Sequence, residues 1–211
     1  MFDRGSDPVS VGSATAGPAS AGPATVGPVL GIDPGLSRCG YGAVRGNGAR
    51  CEAVAYGVLR TEPADELPVR LAALARELES LIAELRPSAI AVERVLFQVN
   101  VRTAMSVGQA SGLVLAIAGR DGIPIVQYSP NEVKLAVAGD GGAGKEEVQA
   151  MVTRLLRLRE VPKPPDAADA LALALCHQWR APLRAASATA GDAGNRLEAA
   201  IAAAVSREPA R

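Results

Sequence analysis

The sequence predicts an α/β fold: a mixed five-stranded sheet with helices on both faces. Three observations lead there. Short apolar runs alternate with longer stretches in which apolar residues recur at helical spacing. The first three short runs follow one another closely, with a hairpin signal between two of them. Apolar residues make up 48% of the 211, enough for one real core, but aromatics are only 3%, so that core must be Leu, Val, Ile and Ala.

The elements read off in order. Residues 1–28 carry a five-residue repeat, Ala16-Gly17-Pro18-Ala19-Ser20 then Ala21-Gly22-Pro23-Ala24-Thr25, and small residues with regular prolines cannot pack a core. This stretch is expected to be a disordered tail. Val29 to Asp33 is a short buried strand. Gly40 to Val44 and Cys51 to Leu59 flank Gly46-Asn47-Gly48, a hairpin turn. Leucines at 67, 71, 74, 78, 81 and 85 mark a helix that Pro87 ends. Ala89 to Val92 is a strand, Asn100 to Arg120 a helix of small and apolar residues, and Ile123 to Tyr128 the fifth strand. Helices follow at Asn131–Val137, Lys145–Leu158 and Asp166–Trp179. The expected domain is 29–182. Residues 183–211, rich again in Ala and Gly, form a flexible tail in which Leu197, Ile201 and Val205 could line a short helix.

Charge excludes some classes. Lys plus Arg equals Asp plus Glu at 22 each, so no global field draws the chain to nucleic acid and any such binding must be local. Between Arg94 and Lys163 nine basic residues stand against six acidic, a modest local bias. Cys39, Cys51 and Cys176 lack metal-ligand spacing and read as reduced thiols of a cytoplasmic protein. No apolar run approaches the roughly 18 residues of a membrane span, and the N-terminus lacks a signal-peptide layout, so no membrane association is expected.

Four acids stand at element boundaries. Asp33 closes the run Val29 to Ile32, directly before the Pro34-Gly35 turn, and Glu93 closes Ile90-Ala91-Val92. Ligands of open α/β sheets bind at strand ends, so these two are potential neighbours. Asp166 and Asp169, spaced i, i+3 after Pro164-Pro165, share one face of a helix's first turn. Plainer readings exist: Asp33 as a turn residue, Asp166 as a helix cap. Glu93 resists that treatment, because a glutamate seldom borders so apolar a strand without a partner. Four converging carboxylates would repel unless cations neutralise them, and hard oxygen donors suit Mg²⁺ or Mn²⁺. Two such ions about 4 Å apart are the arrangement that hydrolyses phosphodiesters. His177 lies eight residues beyond Asp169, about 12 Å along a helix, and reads as structural.

Taken together, Gly31-Ile32-Asp33-Pro34-Gly35, Gly40-Tyr41-Gly42, Val92-Glu93-Arg94-Val95, Gly108-Gln109-Ala110 and Asp166-Ala167-Ala168-Asp169-Ala170-Leu171-Ala172 resemble the RuvC family of Holliday-junction resolvases, from about Val29 to Pro182. The resemblance implies an RNase H-like fold and a homodimer that nicks two like strands of four-way junction DNA in recombination and repair. It implies Mg²⁺-dependent hydrolysis (with Mn²⁺ as substitute, two ions per subunit) at Asp33, Glu93, Asp166 and Asp169, and cooperation with the RuvA–RuvB branch-migration complex. It also carries DNA contacts onto Lys134 and Lys145. Lys145 is unusual at a helix start, where a cation is disfavoured, and a phosphate or plain solvation would each account for it. Where similar proteins place an aromatic residue three positions after the glutamate, this chain has Leu96, with Phe97 next, so either is a candidate base contact. The stripe Ala104, Gly108, Gly112, Ala116 permits close approach, to the chain's own sheet or to a second subunit.

Three other functions share parts of this pattern. A sugar kinase or actin-like ATPase shares the Gly-x-Asp-x-Gly turn but needs two lobes, and the chain between its tails supplies one. A non-catalytic junction binder would tolerate loss of an acid, and none is lost. A different RNase H-like nuclease, acting on other branched or RNA-containing substrates, remains the alternative.

Overall fold

A computed structural model describes residues 27–48, 50–94 and 101–181. Leu96, Phe97 and most of both expected tails, including Leu197, Ile201 and Val205, lie outside the described residues.

Five strands form one sheet in the order β3-β2-β1-β4-β5. They are β1 (Val29–Asp33), β2 (Arg38–Asn47), β3 (Arg50–Arg60), β4 (Ala89–Glu93) and β5 (Ile125–Tyr128). The first three run antiparallel as a meander, while β4 lies parallel to β1 and β5 parallel to β4. Antiparallel neighbours need only short turns. The parallel pairs need crossovers, and those are α1 (Leu67–Leu85) between β3 and β4, and α2 (Val101–Arg120) between β4 and β5. Three further helices follow: α3 (Pro130–Ala138), α4 (Lys145–Leu155) and α5, residues 165–181.

Alternation along the strands separates two cores. Leu30, Ile32, Ile90 and Val92 point to one face, onto Leu74, Leu78 and Ile82 of α1 and Ala110, Val114 and Ile117 of α2. Val29, Val44, Ala91 and Tyr128 point to the other, onto Val133, Val137, Val148, Val152, Leu171 and Leu175 of α3, α4 and α5. Helices therefore cover both faces. Each fully buried leucine contributes about 1.5–3 kcal/mol, which offsets the near absence of aromatic side chains.

Element ends follow local chemistry. In α1, Arg86 takes a left-handed φ of 46° and donates its N–H to Ile82 O, and Pro87 prevents continuation. The expected start of β5 at Ile123 is corrected to Ile125. Gly122 turns with φ 65°, and Ile123 N–H donates to Ala118 O, so Ile123 serves the end of α2 instead of a strand. Likewise α4 stops at Leu155, not Leu158, because Arg157 adopts φ 53°. Ser129 and Glu132 form a reciprocal capping box at the start of α3. Ahead of β1, Ser88 N–H donates to Pro28 O and Ser88 Oγ–H to Gly27 O.

Candidate active site

Three glycines decide where α5 lies. A Cβ on Gly31 would stand 1.9 Å from Ala170 O, one on Gly40 2.2 Å from Asp166 O, and one on Gly42 2.7 Å from Leu171 N. Gly31 and Gly42 are cross-strand partners, and Gly40 partners Asp33. The backbone of α5 thus rests directly on a side-chain-free patch of β1 and β2, closer than any other residue would allow. At its far end, Trp179 Nε1–H donates to Gly48 O (2.8 Å) and the Gln178 amide donates to Gly46 O, pinning the helix to the β2–β3 turn.

That seat brings the acids together. Asp33 is on the same face as Gly31, two residues along β1, and so points toward the first turn of α5. Strands β1 and β4 pair Gly31 with Ala91 and Ile32 with Val92, so Glu93 ends the adjacent strand about 5 Å away on that face. Asp166 and Asp169 enter from α5. Each of the other three carboxylates, together with burial as the largest cause, pushes the Asp33 carboxyl up from 3.8 to about 7. Burial first, then Asp169, also raises Glu93. Mutual repulsion across a half-buried site is the signature of acids that share one space.

Two cations stand among them. Lys145 Nζ lies 2.6 Å from Asp169 Oδ2 and feels the charges of Asp33 and Asp166 as well; those contacts raise its pKa against the opposing effect of burial. This explains a lysine in the first turn of α4, where the helix dipole disfavours it. Arg38 Nε is 3.6 Å from Asp166 Oδ2, an ion pair beyond hydrogen-bond length, and that buried oxygen has no hydrogen-bond partner. As posed, no three Asp, Glu, His or Cys side chains among the described residues close around a point an ion could occupy. Backbone register nevertheless continues to set Asp33 beside Glu93 at the ends of neighbouring parallel strands. An oxygen-only donor set, mutual repulsion and an unsatisfied buried carboxylate oxygen fit a hard divalent cation.

The other expected site residues are dispersed. Lys134 is half-buried on α3, with no ion pair among the described residues. His177 is buried with Nδ1 3.1 Å from the Tyr128 hydroxyl, and the rings meet edge to face, consistent with its structural reading. Cys39 and Cys176 are buried and in no disulfide; burial pushes Cys39 up to about 12, so it stays protonated. The glycine seat was missed by sequence reasoning, although a Gly-x-Gly inside a strand is a usable signal of close backbone approach.

A β3-β2-β1-β4-β5 sheet with acids at the carboxyl ends of two parallel strands and a helix laid across them is an RNase H-like fold. Comparison with known proteins narrows this. The family model for the crossover junction endodeoxyribonuclease RuvC matches residues 29–177. The RuvC protein of Salinispora arenicola is 57% identical over 169 residues, which is 80% of this chain and 97% of that one. That of Rhodococcus jostii is 52% identical over 180 residues, 82% of this chain and 95% of that one. Among solved structures, T. thermophilus RuvC in complex with Holliday junction substrate is similar with a TM-score of 0.71 and 38% identity, over 74% of this chain and 96% of that one. The chain belongs to the RuvC family of crossover junction endodeoxyribonucleases, a membership that implies metal-dependent catalysis.

Proposed function

We propose that this protein resolves four-way DNA junctions, nicking two like strands by hydrolysis of phosphodiester bonds, with Asp33, Glu93, Asp166 and Asp169 as the catalytic acids. The observation that supports this reading is the gathering of the four acids at the carboxyl ends of β1 and β4, where Glu93, Asp169 and Asp166 each act on Asp33. They would hold Mg²⁺, two ions per subunit with Mn²⁺ able to substitute, and the ions would supply an activated water and offset charge on the leaving oxygen. Asp33 and Asp169 are assigned the central ligand positions, Glu93 orients, and Asp166 completes the set or assists the attacking water. Lys145, paired with Asp169 in this structure, would meet a phosphate oxygen when Asp169 holds a metal ion. Lys134 adds a backbone phosphate contact, and Leu96 or Phe97 meets the junction bases.

The working form is a homodimer, because one junction presents two scissile strands and a two-fold axis supplies two sites. The outer face of α2 supports this: Met105 and Leu115 are exposed, and a Cβ on Gly108 or Gly112 would meet nothing within 4 Å. The small-residue stripe is therefore open to a second copy, while Ala110, Val114 and Ile117 pack on the chain's own sheet. Cooperation with the RuvA–RuvB complex and a cytoplasmic location belong to the same reading, and among the described residues no helix is long and apolar enough to cross a membrane. The test is cleavage of a four-way junction, a linear duplex and an RNA–DNA hybrid with added Mg²⁺. Junction preference is expected; preference for either of the other substrates defeats the reading.

A further inference from the structure

Beside the acids lies a basic groove that the catalytic reading does not use. It is a concavity of about 650 Å³ lined by Ser37, Arg38, Arg60, Thr61, Glu62 and Pro63. Arg38 and Arg60 are direct cross-strand partners in the β2–β3 ladder, so two guanidinium groups project side by side from one face. Like charges directly opposite destabilise a sheet, and Glu62, the one acid in the groove lining, forms no ion pair with either arginine among the described residues. Among the described residues Arg60 has no ion pair, and Arg38 has Asp166, 3.6 Å from its Nε, which joins the groove to the acids of the candidate site. The floor is stiff. Arg70 Nη2 donates to Ser37 Oγ (2.6 Å) and Arg70 Nε to Thr61 Oγ1 (3.0 Å), while Thr61 Oγ1 donates to Leu36 O (2.6 Å). Arg70 is thereby held by its neighbours, whereas Arg38 and Arg60 remain exposed at the rim.

The alternation of β2 fixes which face this is. Arg38, Gly40 and Gly42 share it, and Gly40 and Gly42 carry α5, so the arginine pair opens on the side of the sheet where the acids stand. Asp33 on β1 and Arg60 on β3 are two strands apart, about 10 Å at ordinary strand spacing. A strand with one phosphate at the acids and its backbone running outward across β2 would pass the next phosphates over the two guanidinium groups. The fork of an arginine matches phosphate oxygens in paired hydrogen bonds, and an anion between the two would turn a repulsive pair into an attractive one.

We infer that Arg38 and Arg60 form a phosphate subsite for the DNA strand flanking the bond to be cut. The inference rests on the junction-cleaving reading and adds a site to it. It is tested with the full chain by fluorescence anisotropy on a labelled four-way junction across a range of salt, comparing the unaltered protein with Arg60→Gln, Arg38→Gln and the double variant. Arg76→Gln, on exposed α1 at the opposite face, is the control. Each subsite variant should weaken binding about three- to tenfold, and each should make the plot of log affinity against log salt shallower by about 0.9. Arg76→Gln should change neither. Melting temperature of Arg60→Gln should hold or rise, since a like-charge pair is relieved; a fall of several degrees together with weaker binding would assign Arg60 a structural role and overturn the inference. Unchanged affinity and slope would also overturn it, and would leave the groove to an acidic protein surface. If the unaltered protein fails to prefer the junction, it is the functional reading that falls; if it prefers the junction and the variants match it, the subsite alone falls.

Discussion

Replacing Asp33 by Asn removes one negative charge from the acid group while keeping the side chain's size. Free aspartate ionises near 3.8, and in this fold Asp33 does so at about 7, raised by burial and then by Glu93, Asp169 and Asp166. Between those two values the folded chain holds a proton that the unfolded chain has lost. Stability without divalent ions must therefore fall as pH rises from about 4 to about 7, and the whole penalty stands above that. A rise of about three units corresponds to about 4 kcal/mol, and residual water contact brings the expected figure to about 2–4 kcal/mol. For a domain of this size each kcal/mol moves the melting temperature by about 2–4 °C. In EDTA at pH 8, Asp33→Asn should thus melt roughly 5–15 °C above the unaltered protein, and the two should converge toward pH 4. Added Mg²⁺ should raise the melting temperature of the unaltered protein much more than that of the variant, and the variant should bind junctions without cutting them. Calorimetric melts from pH 4 to 8, paired with a junction-nicking assay, measure both effects. A variant that melts no higher at pH 8, or that nicks at the normal rate, would show that these acids do not share one charged site.

Other changes probe separate parts of the argument. Gly31→Ala puts a methyl group into the backbone of α5 and should cost about 1–3 kcal/mol, lowering the melting temperature and junction cleavage together; an undisturbed Tm would remove the glycine seat as the device that positions Asp166 and Asp169. Lys145→Gln takes away the cation on Asp169, so Mn²⁺ should bind more tightly by calorimetry even as junction cleavage slows at least tenfold; equal Mn²⁺ affinity would mean that the ammonium and the ion do not compete. Gly112→Arg on the open face of α2 should leave the fold intact and convert a dimer to monomer by light scattering. A dimer that survives this charge would place the interface elsewhere.

Much of the fold was legible because its signals are local. The apolar repeat of Leu74, Leu78 and Ile82 and the proline after Arg86 define α1 within one stretch of chain. The capping box of Ser129 and Glu132, an equally local signal that the sequence reading did not use, begins α3 at Pro130, one residue before the expected Asn131. The misplaced ends turn on backbone conformation that apolar spacing does not encode: Ile123 is apolar enough for a strand but is engaged by Ala118 O, and Leu158 continues an apolar period that the backbone at Arg157 interrupts. The four acids were visible as residues at element ends, since carboxylates beside apolar runs stand out by composition alone.

What the chain determined by itself was which acids, on which strand and helix ends, were available for chemistry. Their convergence was settled in three dimensions, by parallel pairing of β1 with β4 and by α5 settling onto Gly31, Gly40 and Gly42. The same packing set Lys145 against Asp169, and the ladder of β2 with β3 set Arg38 against Arg60. The physical reason is range: propensity and periodicity act over a few residues, whereas charge and contact act through space between segments that sequence separation keeps far apart.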